Sequence, residues 1–303
     1  MTASPAPAAY SRPDEPLRGI ALMIAAMAVF SGMDCVSKVL AETYHPLMIT
    51  WSRQVAQLLL LAPLVLWIGP MRCIRSAAPG AQALRGLLLY FSTICFVSGL
   101  ARLPLAEASA IGFVSPMFTT ALSIPLLGEK VGIRRWLAIL VGFSGVLIVI
   151  RPGTAAFDPA ALFPIASAAF WALALIVTRK MSHRDTPLTT LVYASLVGFV
   201  VASLPMPWFW AMPDPAAMGL ILLMGAMSLG GHYLLVQAFQ LGSASILAPF
   251  AYSQMVWATI FGYVVFQNLP DGWTWVGALV IILSGVYVWH RERVRHGLTR
   301  RGA

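Results

Sequence analysis

The chain has 303 residues, of which 59% are hydrophobic and 10% charged, with a mean hydropathy of +0.80. An apolar content this high and this evenly spread excludes a soluble core and a disordered chain, and marks a polytopic membrane protein. The formal net charge of +9 would favour a nucleic-acid partner in a soluble protein, but here the placement of the charges decides what they mean.

Residues 1–16 (MTASPAPAAYSRPDEP) are rich in Pro and Ala and read as a disordered tail. The apolar run 20–30 after Arg18 imitates a signal peptide, yet no small-residue cleavage pattern follows and the apolar register continues past Ser31. It reads as a retained first span. A span needs about 20 apolar residues to cross a hydrocarbon layer of about 30 Å. Ten segments qualify, at 17–40, 46–68, 85–101, 105–127 and 132–150, and then at 160–178, 187–210, 216–239, 244–266 and 272–289. Pro63, Pro116, Pro125, Pro164, Pro205 and Pro249 fall inside them and predict kinks rather than ends. With the N-terminus in the cytoplasm, 16 of the 20 Lys and Arg lie on the inner side. Lys38, Arg102 and Arg151 are at outer ends and Arg53 lies within a span. The positive-inside rule therefore puts both termini in the cytoplasm, and the basic balance reports orientation rather than a nucleic-acid partner. Cys35, Cys73 and Cys95 have no CxxC spacing, so neither a disulfide framework nor a zinc site is expected.

The chain also repeats itself. LPLAEASAIGFVSPMFTTALSIPLLGE (103–129) is echoed about 140 residues later by LGSASILAPFAYSQMVWATIFGYVVFQ (241–267). Ser37, Lys38 and Pro46 fall opposite Thr178, Arg179 and Pro187, and Gly145 falls opposite Gly285. Five spans per copy is an odd number, so the second copy enters the bilayer from the other side. The expected fold is an all-α integral membrane protein of ten transmembrane helices in a 5+5 inverted-topology repeat. Its parts are a tail (1–16), a first repeat (17–150), a Pro/Gly-containing linker (151–159), a second repeat (160–290) and a basic cytoplasmic tail (291–303).

The string RLPLAEASAIGFVSPMFTTALSIPLLGEKVGIRRWLAILVGFSGVLIVIRPG (102–153) resembles the first-repeat signature of EamA-type transporters, in the drug/metabolite transporter superfamily. MDCVSK (33–38), Arg53 and the Arg85-Gly86 pair are similar to that family's first three spans, especially in the branch that moves riboflavin, S-adenosylmethionine or opine-like metallophores. The resemblance implies ten helices around a central cavity, built chiefly from spans 1, 3, 4, 6, 8 and 9 and worked by alternating access. It implies a bacterial-type cytoplasmic (inner) membrane location. The second repeat departs from the pattern, with Phe266-Gln267 where such proteins usually carry Gly-Glu.

Charges inside spans are costly, about 2.5 to 3.5 kcal/mol each at the centre on insertion scales, and so face protein or a wet cavity. Asp34 and Lys38 are four apart, share a helix face and can pair directly. Arg53 lies about 10 Å into span 2 by helical rise, near the depth of Asp34. The three are expected to cluster, as a proton, cation or anion site or as mutual neutralisers that let the first hairpin insert. Arg102 and Glu107 flank the turn between spans 3 and 4 and are expected to form an interfacial ion pair at the outer mouth, with a gate or substrate role as the alternative. Glu129, beside Lys130, Arg134 and Arg135, is a salt-bridge or inner-gate residue.

The second half offers His232, Tyr252 and Gln254 instead of charges. His232 has the pKa range for proton coupling and equally suits a hydrogen-bonded interior position. Tyr90, Phe113, Trp171, Tyr252 and Trp257 offer stacking faces to a planar or cationic solute, or pack as core and lipid contacts. Pro116 and Pro249 break spans 4 and 9 near mid-membrane, as cavity-lining discontinuities or as packing kinks.

The leading expectation is a secondary transporter for a small organic metabolite that is amino-acid-derived, nucleoside-like or flavin-like. No GxxxxGK[ST] loop occurs, which leaves proton coupling and facilitated exchange open. HExxH and GxSxG are absent as well, and the loops are short for a catalytic domain, so an integral-membrane enzyme is the lesser reading. A non-transporting receptor on the same fold is a third. The expected partners are the lipid bilayer and a small-molecule substrate, with no cofactor, no metal and no nucleic acid. Homodimer formation is left open.

Overall fold

The computed structural model describes residues 16–128, 132–181, 185–241 and 244–301, and among these the regular elements are all helical. The first half contains α1 (Pro16–Ala41), α2 (Pro46–Ile68), the short α3 (Pro70–Ile74), α4 (Pro79–Leu100), α5 (Leu105–Gly112), α6 (Ser115–Leu127) and α7 (Ile133–Ile150). The second contains α8 (Leu162–Lys180), α9 (Pro187–Ser203), the short α10 (Met206–Phe209), α11 (Pro215–Leu241), α12 (Ala244–Leu247), α13 (Ser253–Phe266) and α14 (Gly272–Arg301).

Local chemistry sets where these helices begin. Proline opens α2, α4, α9 and α11, where its missing N–H costs nothing because the first turn has no acceptor for it. Side chains cap the starts of α2, α9, α11 and α14: His45 accepts from the Leu47 amide, Thr186 from Thr189, Asp214 from Ala217 and Asp271 from Thr274. Spans 4 and 9 are both broken, as their prolines lead one to expect. The first parts at Phe113–Val114, between α5 and α6; the second passes through a 3-10 turn, Ala248–Tyr252, between α12 and α13.

Among the described residues, six helical stretches are long and apolar enough to cross a membrane: Leu17–Ala41, Pro46–Ile68, Pro79–Leu100, Leu105–Leu127, Pro159–Lys180 and Pro215–Leu241. Trp136–Ile150, Leu188–Ser203 and Gly272–Tyr287 are shorter apolar helices, and the ninth expected segment is the broken α12–α13. Their outer surfaces are apolar. Leu66, Trp67, Trp208, Val264 and Leu283 are among the large side chains exposed by more than half, as lipid in place of water would allow. Trp67, Trp208, Trp210, Trp273 and Trp275 sit near helix ends, the level at which amphipathic rings anchor.

The packing repeats between halves. α1 lies on α11 as α8 lies on α4; α1 touches α13 as α8 touches α6; α2 touches α11 as α9 touches α4. Two further pairs, α2–α9 and α7–α14, join equivalent helices across the junction, and α5–α13 joins the two broken spans. Exchanging the halves thus returns these main helix pairs, whereas the contacts of α4 with α1 and α2 have no counterpart of like extent between α11 and α8 or α9. The closest crossing is α7 on α14: a Cβ on Gly145 would stand 2.8 Å from the Gly277 carbonyl oxygen, and one on Gly277 would stand 2.6 Å from that of Gly145. Without a hydrophobic drive between helices in lipid, such backbone approach is what gives dispersion contacts their strength. The largest buried cluster forms around α5, whose Ala106, Ala108, Ala110 and Ile111 are enclosed by Val146, Met255 and Ile281.

Candidate functional site

The interior where α1, α2, α4, α11 and α13 converge carries polar side chains. Asp34, on α1, is 7% exposed, and Gln254 of α13 donates its amide to Oδ2 at 3.3 Å. Arg53, on α2, donates through Nη2 to Thr93 Oγ1 of α4 at 2.8 Å, and its Nε is buried with no hydrogen-bond partner. Asp34 and Arg53 act on each other electrostatically, but among the described residues no ion pair joins them. Tyr90 lies one turn before Thr93 on α4, is 4% exposed and leans on Phe91. On α11, His232 Nδ1 is 2.7 Å from the Ser228 carbonyl, and the ring meets Phe30 edge-on at 5.1 Å. Ser228 donates to Gln57 Oε1 of α2 at 3.3 Å, and His232 lies within the electrostatic reach of Arg53. One connected polar region therefore bridges the two halves.

Lys38 has left this cluster. The i, i+4 spacing permits a pair with Asp34, but the ammonium instead donates to the carbonyls of Leu100 at 2.8 Å and Leu103 at 2.7 Å, and stands 5.4 Å from the centre of the Phe266 ring. The end of α4 explains this. Its last carbonyls have no partner within the helix and carry the negative end of its dipole, so a lysine from α1 is drawn to them. The result ties α1, α4 and α13 at one end of the molecule.

At that end the Arg102–Glu107 pair does not form. Arg102 is exposed, and the charges acting on Glu107 are Arg151, Asp271 and Asp158. The ion pair found here is Arg151–Asp271, at 2.7 Å. Asp271 is held below the usual carboxylate range: the burial it has would raise it, but hydrogen bonds from Thr274 and the Arg151 charge outweigh that. Arg151 ends α7 and Asp271 caps α14, so the bridge clasps the two helices that cross at Gly145 and Gly277. Glu129 lies outside the described residues.

Phe113 and Tyr252 come together, their rings 5.1 Å apart, and each stands at the break of its own span. Trp257 stacks on Phe261 at 6.3 Å and packs near Met23 and Met27 of α1. Trp171 is 41% exposed on α8 and does not join the cluster.

Thr93, Gln57 and Ser228 were invisible in the sequence as site residues. Small hydroxyls in apolar helices usually bond their own preceding turn, and nothing in the sequence marks which of them answers an arginine on another helix. A second polar cluster, also unforeseen, joins the halves elsewhere. Asp185 accepts from Ser76 Oγ, the Ala77 amide and Gln82, while Arg85 donates to Thr178. Among the described residues, no group of three or more His, Cys, Asp or Glu is placed to hold a metal.

A helical bundle with an apolar exterior, two equivalent halves and a charged interior is the arrangement of a multi-pass membrane protein with a solute site. The model of the EamA-like transporter family matches residues 17–151 and again 158–289, and the chain belongs to that family, within the drug/metabolite transporter superfamily. An S-adenosylmethionine uptake transporter of Rickettsia prowazekii is 29% identical over 91% of this chain and 94% of its own. A riboflavin transporter of Vibrio cholerae is 28% identical over 92% and 96%, and a pseudopaline exporter of Pseudomonas aeruginosa 28% over 88% and 94%. A solved crystal structure superposes on 90% of this chain and 96% of its own, with a TM-score of 0.60 at 15% identity, a likeness of fold.

Proposed function

We propose that this protein is a secondary transporter that moves a small organic metabolite across the cytoplasmic membrane by alternating access. In this reading ten segments span the bilayer as two inverted five-helix repeats with both termini in the cytoplasm. The repeated packing of the halves supports it, because alternating access requires two arrangements of equivalent units around one site. The observation that carries it is the pair of opposite charges at the junction of the halves, Asp34, which is buried, and Arg53, which is half-buried with its Nε enclosed, since charges are retained inside a membrane bundle chiefly for a solute or ion path. The named relatives support a solute that is amino-acid-derived, nucleoside-like or flavin-like. Proton coupling through Asp34 or His232 belongs to the same reading.

The test is flux in proteoliposomes across a broad set of labelled metabolites, with saturable movement of at least one expected. Folded protein that moves none overturns the proposal. A His232→Gln protein that keeps the full pH dependence of transport removes His232 as a proton carrier; intact accumulation by Asp34→Asn removes Asp34.

A further inference from the structure

Resting on that reading, we infer that the site takes a zwitterion carrying both an ammonium and a carboxylate, as an α-amino acid head group does, with Asp34 receiving the ammonium and Arg53 the carboxylate.

Where α1 meets α2 the site presents the carboxylate of Asp34 and the guanidinium of Arg53, and Arg85 is held apart by Thr178. Lys38 gives two of its donors to the carbonyls of Leu100 and Leu103, so its ammonium is directed away from Asp34. The two groups facing the junction carry opposite charges, which matches a ligand with an internal dipole. An anion alone would leave Asp34 uncompensated, and a cation alone would do the same to Arg53.

Both residues also lack partners of the expected strength. A guanidinium has five N–H donors in a fixed fork, yet Arg53 has Thr93 on Nη2 and nothing on its buried Nε. A buried donor left without an acceptor calls for an explanation, and a carboxylate is the group whose geometry fits the fork. Asp34 can accept several hydrogen bonds, but among the described residues its donor is the neutral Gln254 amide at the long distance of 3.3 Å. An ammonium offers three donors and a charge.

The two residues are also kept from satisfying each other. Arg53 is turned to Thr93 on α4 and Asp34 to Gln254 on α13, so each is anchored to a different helix. A zwitterion between them would link α1 and α13 to α2 and α4. A ligand that bridges elements in this way favours one arrangement of the halves over another, which a translocated solute must do.

Ligand binding to full-length protein in nanodiscs tests the inference. The probes are the proteinogenic amino acids and S-adenosylmethionine, each set beside its amine or methyl ester lacking the carboxylate, together with adenosine and riboflavin. An amino carboxylate should bind best, and loss of its carboxylate should weaken binding about tenfold to a hundredfold, the range for a hydrogen-bonded charge. Arg53→Gln should weaken the intact ligand by the same factor and leave the carboxylate-free partner unchanged. Asp34→Asn should weaken both. The comparison between ligands on the unaltered protein stands even where a variant folds poorly. If riboflavin or adenosine binds and is transported while no amino carboxylate is, the inference falls and the transporter reading stands. If no probe binds and folded protein moves no metabolite, both fall.

Discussion

Lys38 and Gln267 show how single residues depart from their sequence neighbourhood. Lys38 could pair with Asp34 along its own helix, yet the carbonyls of Leu100, at the end of α4, and Leu103, in the turn beyond it, hold it. Replacing it with Met keeps the stem and removes both bonds. Lys38→Met should lower stability by about 1–3 kcal/mol, as for hydrogen bonds to a charged group. Thermal unfolding in detergent reads this, and an unchanged midpoint would deny the latch its weight. Gln267 ends α13 at φ 55, in the left-handed region, and Gly128 ends α6 at φ 70. The expected correspondence of Phe266-Gln267 with Gly128-Glu129 is therefore shifted by one: Gln267 occupies the backbone role of Gly128. A side chain in that region costs about 1 kcal/mol or more. Gln267→Gly should raise stability by about that amount, and a drop in unfolding temperature would contradict the assignment.

Between elements, the α7–α14 crossing depends on Gly145 and Gly277, because any Cβ there presses on a carbonyl oxygen of the other helix. Gly277→Val should cost about 1–3 kcal/mol, the range for overpacking, and should be worse than Val at the uncrowded Gly272. Equal effects at the two positions would remove the crossing as the cause. Gly285 faces the Tyr252 hydroxyl, so a methyl there has to displace that ring and with it the Phe113 contact at the two broken spans. These elements were legible as apolar runs with proline at their starts. Their breaks were foreseeable from Pro116 and Pro249, whereas the meeting of Phe113 with Tyr252 was not, since it joins residues of different halves.

Across the whole molecule, the halves are clasped by Arg151–Asp271 near one end and by the Asp185 cluster elsewhere. The Asp271 carboxyl is lowered, so its stabilising effect is present above the unfolded-state value near 4 and is lost as pH falls through the lower folded value. With the side chain 43% exposed, solvent screening limits the bridge to about 0.5 kcal/mol. Unfolding midpoints of the parent and Asp271→Asn should differ at pH 7, and the gap should narrow as pH falls below about 4 until the folded-state carboxyl is protonated. A gap that does not narrow at all below about pH 4 would show that Asp271 acts through something other than its charge.

Composition, span length and the order of duplicated prolines and glycines determined by themselves that the chain is a helical membrane protein with two related halves. Those properties are local: transfer into lipid, helix initiation and backbone freedom are decided within a turn or two of chain. Which charge meets which partner was decided by the tertiary structure alone. Asp34, Lys38 and Arg53 have comparable access to one another in sequence, but Lys38 went to the bare end of α4, Arg53 to Thr93 and Asp34 to Gln254. A buried charge in a low-dielectric interior takes the strongest donors and acceptors that packing brings within reach, and those lie on other helices.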